Sequence, residues 1–178
     1  MRIQTSLKLS LASALILTLA SCSNVDQPPP KEQAIAKNVA ILKQESSIVA
    51  EYQQYLTALA ALKTNNDTLA RAYLSQHQEA SYLTEDLRNQ WLKLLGKNGS
   101  WSSFNAEYAL LAKMANGPQG IQQEVACYAD VAKLNQGQNA ISDLALSLTN
   151  SRGTLPLGCN TLLRESASRQ LVPKDALW

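Results

Sequence analysis

Residues 81–95, SYLTEDLRNQWLKLL, decide the fold class. Leu83, Leu87, Trp91 and Leu94 recur every three or four residues, the spacing that gathers side chains on one face of an α-helix; a half-buried strand would alternate at two. The segment therefore predicts a helix from about Ser81 to Leu95, stopped by Gly96 with Asn98-Gly99. Glu85-Asp86 reads as favourable charge near the helix N-terminus.

The same period extends in both directions. On the N-terminal side, Thr68 to about His77 places Leu69, Ala70, Tyr73 and Leu74 on one face, and Asn65-Asn66-Asp67 ends the preceding unit and offers caps. From Lys31 to Leu62 the apolar residues Ile35, Val39, Leu42, Ile48, Tyr52, Tyr55, Leu56, Leu59 and Leu62 keep helical spacing apart from one gap across Ser46-Ser47. One long helix, or two with a break there, fits the pattern. On the C-terminal side, Ser100 caps a helix carrying Trp101, Phe104, Tyr108 and Leu111, and Gly117-Pro118 breaks the chain. Helical spacing resumes from Ile121 to Leu134 and from Ala140 to Leu148, with Gly137 turning between them. A last short helix, Leu157 to Ser168, follows Gly153 and Pro156.

No stretch reads as a strand. Short Ala- and Leu-rich helices joined by brief turns predict an all-α fold, an α-superhelix of antiparallel helix hairpins of tetratricopeptide-like type. No exact repeat is visible, so a compact bundle is the alternative.

The N-terminus carries a different signal. Arg2 and Lys8 precede an apolar run, Leu9 to Ala20, which is shorter than the ~20 residues a membrane-spanning helix needs. Leu19-Ala20-Ser21-Cys22 closes it and reads as a bacterial lipobox, which makes residues 1–21 a lipoprotein signal peptide and Cys22 the lipidated first residue of the mature chain. An ordinary secretory signal with a chance cysteine is the alternative. Ser23 stands where an aspartate would argue for inner-membrane retention; by resemblance to bacterial lipoproteins, this favours the periplasmic face of the outer membrane. Residues 22–32, with Pro28-Pro29-Pro30, read as a tether, and residues 33–178 as the helical domain.

Residues 1–21 hold two of the sixteen basic residues and none of the fourteen acidic ones, so the mature chain is formally neutral. Charge therefore supplies no argument for nucleic acid as a partner. With Cys22 assigned to lipid, Cys127 and Cys159 remain in an oxidising compartment and are expected to pair; free buried thiols are the alternative. No metal or cofactor is expected, because His77 is the only histidine and no Cys-x-x-Cys spacing exists. His77 lacks a triad partner in the pattern and reads as a surface residue. Trp91, Trp101, Phe104 and Tyr108 lie at helical spacing and read as core before glycan groove.

Taken in order, Tyr73-Leu74, His77, Ser81-Tyr82-Leu83, Leu87-Arg88, Trp91-Leu92, Gly99, Trp101, Phe104, Tyr108 and Ala126-Cys127-Tyr128 form a pattern that continues with Ala132, Gly137, Leu155-Pro156, Cys159, Leu162-Leu163, Leu171 and Trp178. This pattern resembles the N-terminal superhelical region of soluble lytic murein transglycosylases, over about two thirds of the mature chain. The resemblance implies a ring of helix hairpins with a disulfide between similarly spaced cysteines, topped by a lysozyme-like domain. That domain cleaves peptidoglycan between N-acetylmuramic acid and N-acetylglucosamine to 1,6-anhydro products, with one glutamate acting as acid and then base.

The family's catalytic pattern starts with Glu-Ser and continues to Gly-Leu-Met-Gln. Glu165-Ser166 matches only the start, and no Gly-Leu-Met-Gln follows, so Glu165 reads as a solvated helix residue and no residue is assigned to catalysis. Pro173 is placed as the first turn of a helix that Trp178 leaves barely begun, which reads as truncation. The expected function is a lipid-anchored, non-catalytic periplasmic module, with peptidoglycan or an envelope protein as partner. The alternative is a tetratricopeptide-like protein-binding adaptor.

Overall fold

The computed structural model describes residues 30–114, 120–140, 142–151 and 153–172. The lipobox with Cys22, most of the tether, the Gly117-Pro118 break and the ending from Pro173 to Trp178 lie outside the described residues. Seven helices are described: α1 (Pro30–Lys63), α2 (Thr68–Gln76), α3 (Tyr82–Lys97), α4 (Trp101–Lys113), α5 (Gln123–Asn135), α6 (Asp143–Thr149) and α7 (Leu157–Ser168). The protein is all-α, with no strand among the described residues.

The chain divides into two units, residues 1–41 and 42–178. In the first, the described part is the opening of α1, where Ile35, Val39 and Ile41 are exposed. All that follows concerns the second.

Local chemistry explains the helix bounds. No break occurs at Ser46-Ser47: α1 runs through both, and their hydroxyls donate back into the helix, to the Lys43 and Gln44 carbonyls at 2.9 and 2.8 Å. α3 starts at a capping box. The Ser81 hydroxyl accepts the Thr84 N–H at 3.2 Å, and Thr84 Oγ1 accepts the Ser81 N–H at 2.9 Å. Asp67, expected as a cap for α2, makes no side-chain cap bond. Its Oδ2 instead accepts from Arg71 at 2.7 Å and from Trp91 Nε1 at 3.1 Å, and Asn66 Oδ1 takes the Thr68 N–H at 3.0 Å. The Arg71 hydrogen bonds hold the Asp67 carboxyl below its ordinary range. Asn65 (φ 61°) ends α1 in the left-handed conformation, and the N–H groups of Asn65 and Asn66 close on the carbonyls of Leu62 and Ala61.

Gly96 is not the stop that the sequence suggested. α3 runs through it, and the left-handed turn falls at Gly99 (φ 69°), where Ser100 N–H bonds Leu95 O at 2.9 Å. Glycine in a helix interior costs about 1 kcal/mol relative to alanine. The compensation is tertiary: the buried Tyr128 ring of α5 lies against Gly96 on one side and against Gly158 of α7 on the other.

The odd-numbered helices run parallel and are linked at a recurring separation along the chain. Asn98 of the α3 end bonds Asn65 after α1, 33 residues earlier. Asn89 Oδ1 of α3 accepts the Gln122 N–H at the start of α5, again 33 residues away. Glu124 Oε1 of α5 accepts the Gly158 N–H opening α7, at 34, and Arg169 after α7 donates to Leu134 O near the end of α5, at 35. The even-numbered helices return the chain between them.

Burial forms two clusters. One is built from Tyr55, Leu62, Tyr73, Leu87, Trp91, Leu92, Phe104, Leu111, Val125 and Tyr128. The other surrounds Cys127 and Cys159 with Val131, Leu134, Leu148, Leu162 and Leu163. Each fully buried Leu contributes about 1.5–3 kcal/mol relative to an exposed one. Trp91 and Phe104 are buried, and Trp101 and Tyr108 pack half-buried against the first cluster, so the helical spacing marked core.

Candidate functional site

Cys127 on α5 and Cys159 on α7 are joined by a disulfide, with S–S 2.03 Å and Cα–Cα 4.9 Å. Both residues are fully buried. The bond pins two parallel helices that already share the Glu124–Gly158 contact at their N-terminal ends and the Arg169–Leu134 contact at their C-terminal ends. Its role is to fix this helix pair.

Glu165 sits on the surface of α7, its side chain 42% exposed and 3.8 Å from Arg169 at i+4. That is a solvated ion pair, worth little.

His77 differs from the reading as a surface residue. It ends α2 half-buried, its ring stacks on Tyr73 with centroids 4.4 Å apart, and Nδ1 lies 3.8 Å from Glu51 Oε1. The Tyr73 hydroxyl donates to the same Glu51 oxygen at 3.1 Å. Burial, and then this hydrogen bond, push the Tyr73 phenol well above its ordinary range, so it stays protonated. The pattern hid this grouping because Glu51 is on α1, and only the α1–α2 turn brings the two helices side by side.

Beside this trio, α1 and α2 enclose a groove of about 340 Å³ lined by Gln53, Gln54, Thr57, Leu69, Ala72, Tyr73 and Gln76. Three primary amides along a partly apolar groove suit hydrogen bonding to amide or hydroxyl groups of a neutral ligand. The Thr57 hydroxyl on the groove wall donates to Gln53 O at 2.8 Å. No group of three or more His, Cys, Asp or Glu side chains arranged to hold a metal occurs among the described residues.

Sequence reading missed the polar residues buried on α3. Glu85 Oε2 accepts the Gly120 N–H at 3.1 Å, and Asn89 Nδ2 donates to Gly120 O at 2.9 Å while its Oδ1 takes the Gln122 N–H. Glu85 is therefore a buried acceptor that docks the chain entering α5, beyond its place in the first turn of α3. Asp86 accepts the Tyr55 hydroxyl at 2.6 Å, and Arg88, 3% exposed, pairs with Glu107 of α4. No helix among the described residues is long and apolar enough to cross a membrane. No protein-family model matches this chain, and no curated protein matches it.

Proposed function

We propose that this chain is a lipid-anchored envelope module akin to the superhelical region of soluble lytic murein transglycosylases, acting as a scaffold at peptidoglycan. In this reading Cys22 holds the helical domain at the periplasmic face of the outer membrane. Cleavage of the glycan to 1,6-anhydro products belongs to a lysozyme-like domain, which is not part of residues 1–178.

The observation that carries the reading is the recurring link, 31 to 36 residues apart, between parallel odd-numbered helices. Tetratricopeptide-type arrays stack helix hairpins at a period of about 34 residues. Such stacks present extended surfaces rather than catalytic pockets. The Cys127–Cys159 disulfide supports an oxidising compartment, and its cysteines stand where the resemblance has them. The order of residues from Tyr73 to Trp178 supports the particular family.

Expression of the full chain in a Gram-negative host, followed by fractionation and sedimentation with purified sacculi, tests the proposal. Wild type should take up labelled lipid, fractionate with membranes and sediment with sacculi. Cys22→Ala should lose lipid and membrane association; unchanged fractionation would sink the lipobox reading. Murein clearing by this chain alone on a zymogram would overturn the non-catalytic assignment.

The amide-lined α1–α2 groove favours one other reading, a protein-binding adaptor that takes an extended peptide. Capture of an envelope protein without retention on sacculi would select it.

A further inference from the structure

A second cleft, of about 370 Å³, lies where the end of α1, the end of α3 and the start of α7 converge over α5. Lys63, Lys93 and Lys97 line it together with Asn65 and Asn98, and Leu94, Leu157 and Tyr128 supply apolar wall. Glu124 is the one carboxylate in the lining, and it is already engaged. Its Oε1 accepts the Gly158 N–H at 3.3 Å, and Oε2 lies 3.9 Å from Lys93. Lys63 and Lys97 have no acidic partner among the described residues. The cleft is thus left with two ammonium groups in excess.

The floor adds a separate observation. Tyr128 lines the floor of the cleft, and its hydroxyl makes no hydrogen bond among the described residues. Gly96 and Gly158 hold its ring from both sides. Asn98 Nδ2 donates to Asn65 Oδ1 at 2.7 Å, and that bond commits the Asn65 oxygen while its own amide protons remain to be given.

We infer that this cleft binds a small ligand bearing a carboxylate or phosphate group, whose oxygens take the Lys63 and Lys97 ammonium protons and the Tyr128 hydroxyl. The remaining body of the ligand rests on Leu94 and Leu157 and accepts from Asn65. The site stands independently of the scaffold reading, since it needs neither peptidoglycan nor a lipid anchor.

Titration of the full chain with citrate and, separately, with inorganic pyrophosphate at constant ionic strength tests it by calorimetry and amide NMR. Saturable binding of either probe, with shifts at Asn65, Asn98 and Gly158, is expected. Binding of citrate alone identifies carboxylate as the recognised group, and binding of pyrophosphate alone identifies phosphate. Lys63→Gln with Lys97→Gln should weaken the bound probe by about tenfold or more. Tyr128→Phe keeps the ring between its two glycines and should weaken binding without loss of fold, checked by circular dichroism. Absence of saturable binding by both probes, or affinity unchanged in the double lysine variant, overturns the assignment.

Discussion

The Tyr128 ring of α5 occupies the space that any side chain at Gly96 of α3 would need: a Cβ there would stand 2.4 Å from Tyr128 Cγ. The clash is with a buried ring rather than a flexible tip. Gly158 bounds the ring's other side, where a Cβ would meet Glu124 O at 2.7 Å and Tyr128 Cδ2 at 2.8 Å. Gly96→Ala should therefore destabilise by about 1–3 kcal/mol, despite the better helix propensity of alanine. Urea denaturation checks this. In a Tyr128→Leu background the same substitution should cost less, and an equal cost in both backgrounds would refute the contact as the cause.

This pair also marks the limit of what the sequence could say. Helical class was legible because Leu83, Leu87 and Trp91 obey a period that depends only on local geometry. Gly96 was misread as a stop because its local preference is the same whether it ends a helix or admits a ring from 32 residues away. Glu85 and Asn89 were equally opaque. Both look like solvated helix residues until Gly120 and Gln122 are brought beside them. The cysteines were readable as a pair because their chemistry depends on compartment, whereas Glu51 beside His77 has no sequence signal beyond helical placement.

Arg88 and Glu107 form a buried ion pair between α3 and α4, and its two halves are not symmetrical. Arg88 is 3% exposed and Glu107 is 19% exposed. Glu107→Gln leaves the guanidinium buried without its counter-charge, and should cost about 3–5 kcal/mol. Joint replacement by Met at 88 and Leu at 107 should recover most of that loss. Guanidinium denaturation of the three variants decides it; a double variant no better than the single one would contradict the pairing.

The Cys127–Cys159 bond closes a loop across 32 residues and holds α5 to α7. Its reduction, or Cys127→Ala with Cys159→Ala, should lower stability by about 3–4 kcal/mol. Denaturation with and without reductant measures the difference. Non-reducing mass spectrometry should show the peptides containing Cys127 and Cys159 joined, and recovery of two alkylatable thiols from the native chain would exclude the bond.

Alkali should unfold the protein through its buried phenols. Burial raises the Tyr55 phenol first, and the Asp86 carboxylate that accepts its hydrogen bond raises it further; burial and Glu51 act in the same way on Tyr73. Burial, with the nearby Glu124 carboxylate, pushes Tyr128 up to about 12. In the unfolded chain the same phenols ionise near 10. Above about pH 10 the unfolded state therefore binds fewer protons than the native state, and stability falls as pH rises. The stabilisation is complete below about pH 10 and is lost through the folded values, near 12 for Tyr128. Urea midpoints measured from about pH 8 to pH 11 should decline along this course, accompanied by a rise in phenolate absorbance that coincides with unfolding. Tyr55→Phe and Tyr73→Phe should each lower stability at neutral pH and flatten the alkaline slope. A slope unchanged when both substitutions are combined would show that other groups govern alkaline unfolding.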